Sequence, residues 1–320
     1  MNVLVTGGAG FIGANLVPLL AAAGHVVRVL DSEVIGKRAH LGDFAGDFIH
    51  GDIRDGAALG RALSGIDAVI HLAADTRVVE SIADPALNFD VNARGSFLLL
   101  EAMRARGIAT FINASTGGAI IGAAKPPMHE QMVPRPLSPY GATKLAVEGL
   151  CAAYAGSYGF TTVSLRFANV YGPRSFHKGS AVAAFFKQIL NDQPLVVYGD
   201  GGHTRDFVYV DDVCSGIVRA LGCGASGVYQ LGSGVPLSID ALIAKMRAVV
   251  APRAIRVDYR PARAGEIVST WCAIGHARQH LGFDPATRLE QGLAATWQWF
   301  VDSHHAAQPV QDIVIGGQVL

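Results

Sequence analysis

Apolar residues along this chain fall into two alternating rhythms. Residues 2–6 (NVLVT) form a short apolar run of the kind that fits a strand covered on both faces, and a glycine turn follows it. From Phe11 to about Ala23 the apolar positions recur at helical spacing, and Gly24 stands where a C-cap is expected. Residues 25–30 (HVVRVL) predict a second strand. Strand-like runs return at 67–71 (DAVIH), 108–113 (IATFIN) and 161–166 (TTVSLR), separated by helical stretches at about 55–64, 84–106 and 138–158. Strand alternating with helix predicts a doubly wound parallel sheet over residues 1–167. Beyond 167 the rhythm loosens around Tyr171-Gly172-Pro173, Gly199-Asp200-Gly201-Gly202, Pro236, Pro252 and Pro261. A smaller mixed α/β lobe is expected at 168–302, with some later segments returning to the first domain. Residues 303–320 read as a tail without periodicity.

Composition narrows the picture. The 320 residues are 50% hydrophobic and 16% charged, the balance of a protein with a large core. Lys plus Arg and Asp plus Glu are 26 each, so neither a nucleic acid nor a membrane surface is an expected partner. Cys151, Cys214, Cys223 and Cys272 form no CxxC pair and are read as reduced thiols. The apolar start has no basic leader and is interrupted by glycines at 7, 8, 10 and 13, so a signal peptide is not expected and the cytoplasm is the expected compartment. No run is long enough to predict a membrane span.

The first chemistry lies in Thr6-Gly7-Gly8-Ala9-Gly10-Phe11-Ile12-Gly13, where glycines at 7, 10 and 13 follow a strand and open a helix. Such a turn lets the backbone approach a pyrophosphate, and the helix start behind it offers free N–H groups and a positive dipole end. Asp31 ends the second strand eighteen residues beyond Gly13. A carboxylate there accepts hydrogen bonds from ribose hydroxyls and repels a 2′-phosphate, which favours NAD over NADP; Arg28, Lys37 and Arg38 would reverse that preference if they faced the ribose.

The second lies in Ser138-Pro139-Tyr140-Gly141-Ala142-Thr143-Lys144. Ser138 is a candidate N-cap and Pro139 suits the first turn. Tyr140 and Lys144, four apart, share a helix face. A phenol titrates near ~10, so it needs a neighbouring cation to work as a base at neutral pH; the Lys144 ammonium and a nicotinamide ring are the expected sources. Tyr140 then becomes a proton acceptor for a hydroxyl, and Lys144 a holder of the nicotinamide ribose.

With these motifs in place, the chain resembles the extended short-chain dehydrogenase/reductases, and among them the nucleotide-sugar epimerases related to UDP-glucose 4-epimerase. The resemblance runs from Asn2 to about residue 300 and rests on TGGAGFIG at 6–13, GDIRD at 51–55, HLAA at 71–74, SPYGATK at 138–144, NVYGPR at 169–174 and YGDGGHTRDFVYVDDV at 198–213. It implies a Rossmann-type doubly wound sheet with a smaller substrate lobe, bound NAD, and a UDP-sugar substrate. Asp52 and Ile53 are then expected beside the adenine, Leu72, Ala73, Ala74 and Thr76 along the cofactor path with Asn92 on a helix next to it, and Phe167 near the nicotinamide. Asn169, Arg205 and Arg263 are expected on the substrate diphosphate, for which a planar guanidinium is suited. Thr116, or Ser115 as second choice, is the expected hydroxyl partner of Tyr140. Helices 84–106 and 138–158 are the expected homodimer interface.

Related 4,6-dehydratases carry an Asp-Glu pair after that hydroxyl, where this chain has Gly117-Gly118, so the resemblance favours C4 epimerisation through a 4-keto sugar. Thr270 stands where glucose-restricted relatives have a tyrosine, which leaves room for an N-acetylated sugar. Ile121-Gly122 replaces the Tyr-Gly of many relatives, and His177 and Lys178 have no assigned role. Asp211 and Asp212 read as helix caps, Trp297 and Trp299 as packing residues, His304 and His305 as exposed, and no metal site is expected. The competing readings are a net sugar oxidoreductase, a dehydratase, and a non-catalytic dinucleotide-binding protein in which Tyr140 and Lys144 are dispensable.

Overall fold

A computed structural model describes the backbone of residues 1–262 and 268–307. The first domain runs β1 (Asn2–Thr6), α1 (Phe11–Ala22), β2 (Val26–Asp31), β3 (Asp47–His50), α2 (Gly56–Ala62), β4 (Ala68–His71), α3 (Val78–Ala83), α4 (Pro85–Phe89), α5 (Gly95–Arg104), β5 (Thr110–Thr116), α6 (Gly117–Ile121), α7 (Pro139–Tyr158) and β6 (Thr161–Phe167). There follow β7 (Asn169–Tyr171), α8 (Ala181–Leu190), β8 (Leu195–Tyr198), β9 (Thr204–Tyr209), α9 (Val210–Leu221), β10 (Gly227–Leu231), β11 (Pro236–Ser238), α10 (Ile239–Val250), β12 (Val257–Arg260), β13 (Ser269–Thr270), α11 (Gly275–Leu281) and α12 (Leu289–Ala307).

Among the described residues the large sheet has seven strands in the order β10-β6-β5-β4-β1-β2-β3, every adjacent pair parallel. This is the expected doubly wound Rossmann-type sheet. Alternation along the strands explains its two cores. On β1, Val3 and Val5 face the layer that contains Leu16 and Val17 of α1 and Val213 and Ile217 of α9. Leu4 faces the other way, with Leu59 of α2, Leu99 of α5 and Val147 of α7. β10, far along the chain, returns to pair with β6. A second sheet is ordered β11-β9-β13, with β7 also on β9, and β8 pairs with β12.

Three local expectations are revised. The stretch 84–106 is not one helix: α4 and α5 are joined by a wide π turn at Asp90–Arg94, where the hydrogen-bond ladder slips to place Asn92 inward. The short strand β3 and the helix α3 were not anticipated. The last helix continues through Ser303 to Ala307, so the tail begins later than its composition implied, and His304 is half-buried rather than exposed. Trp297 packs on Phe186 of α8 (5.2 Å between ring centres), as expected of a packing residue.

Candidate active site

The strand order reverses between β1 and β4, and the loops leaving their C-terminal ends enclose a crevice. Gly7 opens the turn after β1 with φ +67°, and a Cβ built on it would lie 2.6 Å from the Ala73 nitrogen. No residue with a side chain fits there, and the turn presses directly on the loop containing Leu72, Ala73 and Ala74. Gly10 is the N-cap of α1 without a side-chain cap. The backbone N–H groups of Phe11, Ile12 and Gly13 therefore have no intrahelical acceptor and face the crevice end of the helix.

Asp31 closes β2, nearly buried. Its two oxygens accept the Ala9 N–H (2.9 Å) and the Glu33 N–H (2.8 Å), and each keeps a lone pair for a ribose hydroxyl. Burial raises its pKa, and the two backbone N–H groups pull it back. The basic residues that would favour a 2′-phosphate are engaged elsewhere. Arg28 pairs with Asp47 (2.6 Å) and donates to the carbonyls of Ala62 and Ser64, Arg38 lies over the Phe48 ring, and the Lys37 ammonium is held by the Glu33 carbonyl. The turn, the free N–H groups and the carboxylate fit NAD.

Along β3 and β4 the placement is more specific than expected. The Asp52 carboxylate is gripped by Arg54 at 2.9 and 2.7 Å, which holds its pKa down, and Arg54 also pairs with Asp90. Ile53, the residue after Asp52, is buried. Asn92 does not point along the crevice. Its side chain accepts the Asp75 N–H (2.8 Å) and donates to the Asp75 carbonyl (2.9 Å) and to Thr143 Oγ1 (3.2 Å). It thus ties the loop of Ala74 and Thr76 to α7.

Helix α7 begins as its sequence requires. Ser138 Oγ accepts the Gly141 N–H, Pro139 occupies the first turn, and the orphan Tyr140 N–H finds Ser81 Oγ of α3 (3.2 Å). At Gly141 a Cβ would sit 2.1 Å from the Ala119 carbonyl oxygen, so only glycine lets α7 close on α6. That closeness sets the Tyr140 phenol against the Thr116 hydroxyl, which lowers the phenol pKa. Ser115 is turned away, into a buried cluster where it donates to Glu148 Oε1 (2.6 Å). Thr116 is therefore the hydroxyl that faces Tyr140. Phe167 is its register partner on β6.

The electrostatics differ from the expectation in one respect. Burial pushes the Tyr140 phenol up to about 12, the Thr116 hydroxyl opposes this, and Asp75 reinforces it. Lys144 does not lower it: its ammonium donates to the Ala114 carbonyl (2.9 Å), and burial brings its own pKa down to about 8. Below this layer lies His71, wholly buried between Thr6 Oγ1 (2.7 Å) and Ser96 Oγ (2.8 Å). Burial drives its pKa down to about 3, with the Lys144 charge adding to the effect, so it is neutral.

The residues expected on the substrate share the second sheet. Asn169 on β7 is opposite Phe207 of β9, and Thr270 on β13 is opposite Arg205. Arg205 donates to the Thr204 carbonyl (2.9 Å) and lies on the strand whose next residue, Asp206, is a buried carboxylate taking N–H groups from Ser233, Gly234 and Cys272. A Cβ at Gly118 would face Thr270 Cγ2 at 3.8 Å, which places the residue after Gly117 against this lobe. Arg263 lies outside the described residues. Asp211 and Asp212 sit in the first turn of α9, yet Asp212 receives the N–H groups of Ala286 and Thr287, so it pins a loop and does not cap its own helix. Ile121 is buried in the core.

Fold and crevice together define a doubly wound dinucleotide-binding protein with a hydroxyl pair set near its second sheet. The likeness to known proteins is narrower: residues 3–232 match the NAD dependent epimerase/dehydratase family, and the chain belongs to it. NAD is accordingly its cofactor. It is similar to the UDP-glucose 4-epimerase of Thermotoga maritima, solved with UDP-glucose (35% identity, TM-score 0.90, 95% of this chain and 100% of that one). It is similar to the Thermus thermophilus UDP-glucose 4-epimerase solved with NAD (37%, 0.88, 94% and 99%). It is also 32% identical to the dTDP-glucose 4,6-dehydratase of Streptomyces griseus, over 93% of this chain and 94% of that one. Among the described residues no helix is long and apolar enough to cross a membrane.

Proposed function

We propose that the protein is a 4-epimerase of a nucleoside-diphosphate sugar, with a UDP-hexose as substrate. The observation that carries this reading is the hydroxyl pair Thr116–Tyr140 followed by Gly117-Gly118. A side chain at 118 would project toward Thr270, where an acid could deliver a proton to a leaving C6 hydroxyl. The chain has none, so elimination of water lacks its acid, although a dehydratase is among the relatives.

Bound NAD would supply the hydride acceptor and donor at C4. Gly7, Gly10, Phe11, Ile12, Gly13 and Asp31 would hold its diphosphate and adenosine ribose, and Ile53 with the Asp52 backbone would border the adenine. Leu72, Ala73, Ala74, Thr76 and Phe167 would line the rest of its path. Asn92 would act through Asp75 and Thr143 as a positioning residue. Tyr140 accepts the C4 hydroxyl proton, directly or through Thr116, as the C4 hydride leaves, and it returns the proton after the 4-keto sugar has turned over. At about 12 its pKa is too high for that task, so the phenolate requires a cation beside it when the site is loaded. Lys144, desolvated and anchored on Ala114, is placed to bind ribose hydroxyls and contribute that charge. Asn169, Arg205 and Arg263 would retain the diphosphate while the sugar swings. Thr270, small beside Gly118, leaves space for a 2-acetamido group; a Thr270→Tyr variant fully active on UDP-N-acetylglucosamine would refute that preference.

Exposed Val79, Ile82, Phe89 and Phe97 on α3, α4 and α5 support a homodimer through this face. The reading is tested by incubating the purified protein, with no NAD added, with UDP-glucose, UDP-N-acetylglucosamine and UDP-glucuronate and following the sugars by NMR. One of them should approach an equilibrium with its C4 epimer. A 4-keto-6-deoxy product, or no turnover of any UDP-sugar, would reject it.

A further inference from the structure

The segment between β7 and α8 has no part in the site described above, yet it is laid across the dinucleotide crevice. The Pro173 carbonyl accepts Asn15 Nδ2 of α1 (3.1 Å), and the Arg174 guanidinium donates to the Ala14 carbonyl (2.6 Å). The His177 ring stacks flat on His40 (5.6 Å between centres, 5° between planes), and His40 Nδ1 is 3.1 Å from the Ala9 carbonyl in the glycine turn. The next residue, Lys178, reaches across to Thr76 Oγ1 at 3.3 Å, 102 positions away in sequence. The segment therefore joins the turn after β1 to the loop after β4, the two walls of the crevice.

The Lys178 ammonium is largely withdrawn from water and, among the described residues, pairs with no carboxylate. Among the described residues a neutral hydroxyl is its only side-chain partner. Burial lowers its pKa with no neighbouring anion to oppose the effect, and the charges felt nearby at His177 are those of His40, Lys178 and Lys187, all positive. An ammonium held this way is costly until an anion arrives. The anion that the adjoining turn is shaped to hold is a diphosphate. Resting on the assignment of this crevice to NAD, we propose that Lys178 is the counter-charge of the dinucleotide diphosphate, closing over it from the substrate lobe and slowing its release.

Lys178→Gln and Lys178→Arg test this by binding, independent of any turnover. In the Gln variant the rate of NAD release from purified protein should rise about 10- to 100-fold, the range expected for losing one charge-assisted hydrogen bond. Affinity for ADP-ribose should fall with it, adenosine affinity should hold, and the Arg variant should recover most of the retention. Unchanged adenosine binding certifies the fold. Unchanged NAD release would overturn the proposal, as would a loss of UDP affinity with NAD release unaltered, which would assign Lys178 to the substrate's diphosphate. If the Gln variant does not fold, an Arg variant that releases NAD as fast as a His177→Ala variant would also overturn it.

Discussion

Replacing Glu148 with alanine would leave the Arg166 guanidinium buried without its partner. Glu148, one turn beyond Lys144 on α7, accepts Arg166 Nε (2.9 Å) and Nη2 (2.7 Å) and the Ser115 hydroxyl (2.6 Å), and both charged side chains are almost fully enclosed, at 4% and 6% exposure. Among the described residues Arg166 Nη1 already lacks a partner, so the guanidinium has no alternative acceptor there. Breaking a buried pair from one side costs about 3–5 kcal/mol, a large share of the roughly 5–15 kcal/mol that stabilises a typical fold. At roughly 2 °C per kcal/mol for a chain of this size, the melting temperature should fall by about 5–10 °C. Differential scanning calorimetry with NAD in excess gives the number. A Glu148→Leu/Arg166→Met double variant should recover most of the loss, because it removes both charges and restores volume. Ser115 precedes Thr116, so the single variant should also lose turnover beyond its unfolded fraction. A loss under about 1 kcal/mol, or a double variant worse than the single, would refute the claim that this pair is a dry, mutually dependent unit beneath the site.

Other outcomes follow from the same geometry. Gly7→Ala should abolish NAD retention, since the added methyl meets the Ala73 backbone and needs a positive φ as well; equilibrium dialysis of NAD checks it. Thr116→Ala should lower kcat by about 100-fold or more, whereas Ser115→Ala should mainly lower stability; equal kinetic effects would mean that the orientation of the two hydroxyls does not matter. His71 is neutral in the fold with a pKa of about 3 against ~6.5 unfolded, so the unfolded chain takes the proton first as pH falls. Its contribution is present above pH ~6.5 and decreases below it, by about 1.4 kcal/mol at pH 5.5. Urea unfolding at pH 7.5 and 5.5 should show that drop in the wild type and a smaller one in His71→Gln.

What could be read from the sequence was local. The glycine turn, the Ser138 cap with Pro139, and the Tyr140–Lys144 face each depend on a few adjacent residues, and each forms as expected. Asp31 ends its strand as expected too. The misses depend on partners far along the chain. The position of the Lys144 ammonium is set by a carbonyl thirty residues away, which no spacing in the sequence indicates. The role of Asn92 arises only because a π turn aims it at Asp75 and Thr143. β3, with only Phe48 and Ile49 apolar in four residues, is an edge strand too short to show a period. Glu148–Arg166 and Lys178–Thr76 join segments that no spacing rule connects.

The central claim is that Tyr140 and Thr116 serve a reversible oxidation at C4, with the hydride returned to the same carbon. Its most direct test is NMR of the product formed from a UDP-hexose carrying deuterium at C4, in ordinary water and without added NAD. The account predicts a C4 epimer that keeps deuterium at C4, and a Tyr140→Phe variant that forms it at least 100-fold more slowly. Deuterium lost to solvent, deuterium found at C6, or undiminished turnover by Tyr140→Phe would contradict it.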